Sequence, residues 1–252
     1  MNSTGGVALN AARLDAAVEE AMAAAVLTDC NAPWSLHRTQ DTIELHGELP
    51  PLADPQHREM MLTGGAALLN LRILIRGLGM HPAVRAVPDP TRRDLIAVVR
   101  LEGSRPVTAD DRALVDAVLH GVNRHPASSD PPVTASLAGT PLLTALRRAA
   151  KVEQAWLAVQ PAVLLAVPIG DEVPVGQSGG TPTALIVGTV LDGPGARLQA
   201  GQAAQRVVLT AATAGVPVRP LPAVLNRPAD RQTVRESIGG GLWPQAALGL
   251  SV

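Results

Sequence analysis

One apolar pattern occurs twice in this chain, in residues 62–82 and again in residues 198–218, offset by 136 positions. In each copy apolar residues recur at intervals of three and four, which predicts an amphipathic helix. Gly79 and Gly215 follow the two helices at the same place in the pattern, where a left-handed C-cap favours a residue without Cβ. The repeat therefore indicates a duplicated fold, and it predicts a site between the two halves.

Gly65 and Gly201 also hold equivalent places in the repeat, but inside the two helices. A glycine within a helix costs up to about 1 kcal/mol relative to alanine. We therefore expect the backbone to approach another group closely at both positions. Packing of one helix against another is the commoner use of such a glycine, and contact with a ligand is the alternative.

The composition excludes several classes of partner. The chain has 252 residues and a net charge of −1, so it offers no general attraction for nucleic acid or membranes. It contains no Phe and no Tyr, and its flat aromatic rings besides histidine belong to Trp34, Trp156 and Trp243. A nucleic-acid platform that stacks bases on several aromatic rings is therefore not expected.

The compartment is expected to be the cytoplasm. Cys30 is the single cysteine, so no intramolecular disulfide can form. The N-terminal segment lacks the basic region of a secretion signal. The longest apolar stretches are interrupted by Arg72, or by Pro161 and Pro168, and fall short of the roughly 20 residues that span a bilayer. We therefore expect a soluble protein.

The periodicity predicts an α+β chain made of two similar halves. Helices are expected near residues 8–27, 55–79, 108–121, 139–158, 193–215 and 228–239. Strands are expected near residues 42–47, 83–87, 94–102, 162–167, 183–190 and 244–251. A segment rich in Pro, Ser and Asp, at 125–139, separates a first half (1–124) from a shortened second half (125–252). The two halves are expected to pack as one compact unit.

The familiar catalytic motifs are mostly missing. The sequence contains no P-loop and no dinucleotide-binding glycine pattern after a strand, and its Gly-x-Ser-x-Gly match at 176–180 lies in a segment expected to be a flexible loop rather than in a turn from strand to helix. Its six histidines are scattered without the spacing of metal ligands, and one cysteine cannot support a cysteine-rich zinc site. The patterns therefore predict neither catalytic side chains nor a metal site.

Short motifs nevertheless stand in a definite order along the chain. They are Pro-Leu-Ala-Asp at 51–54, Arg-Glu at 58–59, Gly-Gly-Ala-Ala at 64–67, Asn-Leu-Arg at 70–72, Arg-Leu-Gln-Ala-Gly-Gln-Ala at 197–203 and Pro-Gln-Ala at 244–246. This order resembles the Acg-type nitroreductase-like FMN-binding family. In that family two copies of the nitroreductase fold are fused in one chain, as a pseudo-dimer of the pair that binds FMN between subunits. The resemblance implies that fold and an FMN cofactor.

The flavin-binding motifs of the family are only partly present. Its members carry Asn-x-Gln-Pro-Trp after the first helix, where this chain has Asp-Cys-Asn-Ala-Pro-Trp at 29–34. The arginine-rich run that neutralises the FMN phosphate is reduced to Asn-Arg-His-Pro at 123–126, and the closing residues 247–252 are uncharged. The candidate cofactor-binding residues are Asn31, Trp34, Arg124, Gly201, Arg206 and Arg219. For Trp34, packing in the core is the alternative.

The phosphate needs more positive charge than Arg124 supplies, because a buried phosphate monoester is typically held by several arginines. Arg72, Arg76, Arg206 and Arg219 would supplement it if they converge. Arg72 and Arg76 are also one helical turn apart, a spacing that fits a solvent-exposed helix face.

Two functions of different class follow from the resemblance. The first is an FMN-dependent NAD(P)H oxidoreductase that reduces a small electron acceptor, or a protein that sequesters flavin. The second is a flavin-free pseudoenzyme that acts as a protein-binding or structural module. The shortened second half is expected to leave apolar surface exposed, which would favour a homodimer.

Overall fold

Two four-stranded antiparallel sheets and two long helices organise the computed structural model. It describes residues 12–21, 34–39, 41–47, 55–89, 91–92, 94–121, 139–161 and 183–250. One long helix packs on each sheet, and the two helices make their most extensive contact with each other. The chain is therefore of the mixed α+β class, as predicted.

Six helices and eight strands are described, numbered in chain order. The helices are α1 (residues 12–21), α2 (Pro55–Gly77), α3 (Ala109–Asp116), α4 (Pro141–Val152), α5 (Pro194–Thr213) and α6 (Pro228–Ser237). One π-helical turn, Ala117–Gly121, continues α3, and a 3₁₀ turn, Pro222–Leu225, precedes α6. The strands are β1 (Trp34–Arg38), β2 (Thr42–Gly47), β3 (Met80–Ala86), β4 (Leu95–Ser104), β5 (Trp156–Pro161), β6 (Thr183–Thr189), β7 (Val218–Pro220) and β8 (Trp243–Leu250).

The two sheets have the same strand order. The first runs β1-β2-β4-β3 and the second β5-β6-β8-β7, with the long helix following the second strand of each set. The register shifts near the end of β2, between Leu45 and His46, where it pairs with β4. The corresponding shift in β6 lies between Val187 and Gly188, where it pairs with β8. The two sheets thus share their topology and the position of an irregularity.

Glycine ends both repeat helices. Gly79, after α2, has φ of 77°, and Gly215, after α5, has φ of 72°. Beyond α5, Val216 N–H donates to the Ala211 carbonyl at 3.0 Å and Gly215 N–H to the Ala212 carbonyl at 3.0 Å, which is the Schellman pattern. The predicted left-handed caps are confirmed at both positions.

The predicted helix over 139–158 is wrong in its last part. The helix α4 ends at Val152, and Trp156–Pro161 forms β5 instead. Ala155 N–H donates to the Ala150 carbonyl at 3.0 Å, and Gln154 takes φ of 57°, so a Schellman turn forms without a glycine. Because the cap residue is a glutamine, no glycine marks the end of this helix.

The short strands β1 and β7 were not predicted. Both lie at sheet edges, and β7 has three residues and ends in Pro220. An edge strand needs no continuous apolar run, since one side of it faces solvent. The predicted strand over 162–167 falls outside the described residues.

Two of the three hydrophobic cores in the described part of the chain are shared between the halves. The core beside the first sheet includes Leu198 and Leu209 of α5. The core beside the second sheet includes Leu62 and Ala66 of α2. The proposed boundary at residue 124 lies outside the described part of the chain. No described helix is both long enough and apolar enough to cross a membrane.

Candidate functional site

The helices α2 and α5 cross where the two repeat glycines meet. A Cβ built on Gly65 would overlap the Leu198 carbonyl oxygen, and a Cβ built on Gly201 would overlap the Leu62 carbonyl oxygen. Residues 62 and 198 correspond in the repeat, as do residues 65 and 201. The contact is therefore reciprocal, in the manner of a twofold interface. Gly201, a candidate cofactor residue, is placed against another helix.

A buried carboxylate lies beside this crossing. Glu153, at the end of α4, is 7% exposed. Its Oε2 accepts a hydrogen bond from Arg72 Nη1 at 2.6 Å, and its Oε1 accepts one from Arg206 Nε at 2.7 Å. Arg72 Nη1 also donates to Gln202 Oε1 at 2.6 Å. One carboxylate thus joins a guanidinium of α2 to one of α5.

The turn after α4 positions Glu153. Gln199, on α5, donates from Nε2 to the Glu153 carbonyl at 3.1 Å and to the Gln154 carbonyl at 2.7 Å. These bonds hold the left-handed turn at Gln154 against α5. The side chain of Glu153 is directed into the molecule as a consequence.

Electrostatics keep this group ionised. Burial alone would raise the pKa of Glu153, but the charges of Arg72 and Arg206 and their hydrogen bonds outweigh it and lower the pKa. The interpretation of Arg72 as part of a solvent-exposed face is wrong, because its side chain is 16% exposed and forms this ion pair. Arg76 is half-buried, and burial together with Arg72 and Arg206 lowers its pKa.

A second polar contact crosses between the same helices. Gln205 Nε2 donates to Asn70 Oδ1 at 3.0 Å, and both residues are fully buried. This hydrogen bond between two buried amides forms in only one arrangement of the helices, so it favours one register of α2 on α5. The centre of the molecule is thus a polar network enclosed by two apolar cores.

A small cleft opens between the halves near the N-terminus of α2. It is lined by Arg58, Glu59 and Leu62 from the first half and by Pro220, Leu221, Leu225, Asn226, Gln245, Ala246, Ala247 and Leu248 from the second. Its volume of about 30 Å³ holds one or two water molecules. We call it the inter-half cleft.

Arg58 is the buried cation of this cleft, with 6% of its surface exposed. Its Nη2 donates to the carbonyls of Pro244 (3.2 Å) and Gln245 and to Gln245 Oε1 at 3.3 Å. Burial, and after it the charges of Arg231 and Arg197, lowers the pKa of Arg58 to about 9.

Gln245 connects Arg58 to an acidic group. Its Nε2 donates to Asp192 Oδ1 at 3.1 Å, and Arg197 Nε lies 3.4 Å from the same oxygen. Burial would raise the pKa of Asp192, but the hydrogen bond from Gln245 and the charges of Arg197 and Arg231 lower it. The cleft is thus backed by a chain of hydrogen bonds that begins at Arg58.

The described candidate cofactor residues do not converge. Trp34 packs against the first core, and its indole Nε1 is buried without a hydrogen-bond partner in the described part of the chain. Arg206 is bound to Glu153 near the helix crossing. Arg219 is exposed on the edge strand β7. Asn31 and Arg124 lie outside the described residues.

These placements do not fit an FMN site among the described residues. Arg206 already neutralises a carboxylate, Gly201 has a helix carbonyl where a ligand would approach, and the inter-half cleft is far too small for an isoalloxazine ring.

Sequence reasoning named Arg72 and Arg206 but missed the other residues of the two polar networks. A signal existed for Gln202 and Gln205, since polar residues on an apolar helix at a spacing of three indicate buried hydrogen bonding. Glu153, Asp192 and Gln245 carried no such signal, because their partners come from distant parts of the chain.

No protein-family model matches the chain, and no curated protein matches it either.

Proposed function

We propose that the chain is a nitroreductase-like pseudo-dimer, in which two halves of related topology are fused and pack through α2 and α5. The support is the equal strand order of the two sheets and the register shift at a corresponding place in each. The reciprocal contact of Gly65 and Gly201 adds to it, because corresponding residues meet there as they would across a twofold axis.

On this scaffold, the function that the geometry favours is a flavin-free one, as a protein-binding or structural module. The observation that carries it is the buried carboxylate of Glu153, which binds both Arg72 and Arg206. A phosphate placed against Arg206 would have to compete with this carboxylate. Breaking a buried ion pair typically costs about 3–5 kcal/mol.

A flavin titration tests this function. The protein is refolded with excess FMN and exchanged into flavin-free buffer, and its visible absorption spectrum is recorded. Flavin fluorescence is then titrated with protein at micromolar concentrations, beside an established FMN protein as positive control. We expect no retained flavin and no saturable change in fluorescence. Retained, stoichiometric FMN would overturn the flavin-free function.

The second candidate is the FMN-dependent NAD(P)H oxidoreductase or flavin-sequestering protein. One observation favours it: Arg58 is a buried cation between the halves, where the resemblance places the flavin and its phosphate. When bound, FMN would supply the hydride chemistry between NAD(P)H and a small electron acceptor.

A pair of variants decides whether this candidate holds. If FMN binds, Arg124→Ala is expected to weaken binding at least several-fold, since it removes a charge-assisted hydrogen bond. The matched control is Arg85→Ala, which changes an exposed arginine on β3 and is expected to leave binding unchanged. Equal affinity in both variants would remove Arg124 from the site.

A further inference from the structure

Arg58 is a buried cation without a described counter-ion. Its hydrogen bonds run from Nη2 to two carbonyls and one amide oxygen, all neutral. Its Nε is buried and has no hydrogen-bond partner in the described part of the chain. No ion pair joins Arg58 to a described carboxylate. Since burying an unpaired charge is costly, this arrangement favours an anion beside it.

Around Arg58, two further guanidinium groups are balanced by two carboxylates, so the net positive charge at the inter-half cleft is that of Arg58. Besides Arg58 itself, the guanidinium groups of Arg197 and Arg231 act on the site, against the carboxylates of Asp192 and Glu59. The carboxylate of Asp192 is paired with Arg197 and accepts a hydrogen bond from Gln245, so its negative charge is already neutralised.

The backbone contributes in the same sense. Arg58 lies in the first turn of α2, and Asn226, which lines the cleft, lies two residues before the start of α6. The N-termini of both helices carry partial positive charge, which disfavours a buried arginine and favours an anion.

We propose that the inter-half cleft binds one oxyanion, a phosphate or a carboxylate group, with Arg58 as its principal donor. The volume of about 30 Å³ admits one or two oxygens of such a group, so the rest of the ligand would lie outside the cleft. The bonds from Nη2 to the residue 244 and 245 carbonyls hold the guanidinium in place before the anion arrives. This site does not depend on whether the protein binds flavin.

The experiment is unfolding of the full chain in inorganic phosphate, in acetate and in chloride at one ionic strength. Binding to the native state alone raises the unfolding midpoint in proportion to the logarithm of ligand concentration. We expect phosphate or acetate, and not chloride, to raise it with this logarithmic dependence. Phosphate alone would assign a phosphate site, and acetate alone a carboxylate site. Equal midpoints in the three salts would overturn the proposal.

Variants locate the anion. Arg58→Met nearly retains the length of the side chain. It is expected to weaken binding of the anion by about tenfold or more, because a charge-assisted hydrogen bond is lost. Arg85→Met, on the exposed edge of the first sheet, is the matched control and should respond as the wild type does. An equal response of the two variants would overturn the proposal. If Arg58→Met fails to fold, Arg231→Met is measured in its place against the same control.

Separate titrations distinguish binding of an oxyanion at this site from binding of flavin. Phosphate and FMN are titrated separately, with riboflavin as the flavin that lacks a phosphate. Binding of phosphate without FMN supports the oxyanion site and the flavin-free function together. Binding of FMN without any response to phosphate or acetate overturns both.

Discussion

Gly65 and Gly201 have only a hydrogen atom in place of a side chain, and this allows the two central helices to approach each other so closely. A Cβ on Gly201 would lie 3.0 Å from the Leu62 Cα, besides overlapping its carbonyl. The helices would have to move apart, and the buried amides of Asn70 and Gln205 beside the crossing would move with them.

Gly201→Ala is therefore expected to destabilise the protein by about 3 kcal/mol, since the overpacking falls on backbone that cannot rotate away. The measurement is the free energy of unfolding in urea. Gly195→Ala is the matched control on the same helix, because no atom lies within 4 Å of the Cβ that it adds. This control should be neutral or stabilising by up to about 1 kcal/mol. Similar values for the two variants would contradict the tight crossing.

At the scale of the element, the start of α3 depends on one carboxylate. Asp111 Oδ2 accepts from Thr108 N–H at 2.9 Å, while Thr108 Oγ1 accepts from Asp111 N–H at 3.1 Å, which forms a capping box. Arg105 Nη2 lies 3.0 Å from the same carboxylate. Burial alone would raise the pKa of Asp111, but the hydrogen bonds from Arg105 and Thr108 lower it from 3.8 to about 2.

A lowered pKa makes stability depend on pH in one direction. The contribution of Asp111 is complete above pH 3.8 and is lost as the pH falls towards about 2. Asp111→Asn should thus cost about 1–2 kcal/mol at pH 6 and progressively less between pH 4 and pH 2. Unfolding in urea across this range measures it. Asp110→Asn, an exposed neighbour in the same turn, is the control, and a cost for Asp111→Asn that stays constant with pH would contradict the assignment.

The elements that the sequence predicted well are those whose signals are local. The helices α2 and α5 carry apolar residues at helical spacing, and Gly79 and Gly215 mark where these helices end. Of the central strands, β2 alternates apolar and polar residues and β6 is a continuous apolar run. The end of α4 was misplaced because Gln154 adopts the cap conformation that glycine usually takes. Its stabilising partner, Gln199, lies 45 positions away and leaves no local trace.

The candidate site was less predictable than the fold. That a close approach would occur at Gly201 followed from the repeat, and helix packing was one of its two interpretations. The role of Arg206 depends on Glu153, and that of Arg58 on Gln245. Such pairs are joined only by the tertiary fold, so no spacing in the sequence indicates them.

At the scale of the whole molecule, the cores do not divide along the chain. Leu198 packs in the core of the first half, and Leu62 packs in that of the second. Separating the halves would expose both cores, so the chain is expected to unfold in one transition.

The three tryptophans allow each sheet to be followed by itself. A variant with Trp156→Phe and Trp243→Phe reports on the first sheet through Trp34, and Trp34→Phe reports on the second. Within each variant, the urea midpoint from fluorescence should equal that from far-ultraviolet circular dichroism. A fluorescence midpoint that departs from the dichroism midpoint in either variant would show that the sheets unfold separately.

If the chain is the fused pair that we propose, the residues at 70 and 206 show what joining two halves in one polypeptide permits. These positions correspond in the repeat, yet one is asparagine and the other arginine. In a dimer of identical chains each substitution near the axis is made twice, and two arginines there would repel each other inside a medium of low polarity. A chain in which the two halves are fused is free of that constraint, so the two corresponding positions can carry different residues. Glu153 then neutralises the central charge from one side alone, which a symmetric pair could match only with a second buried carboxylate.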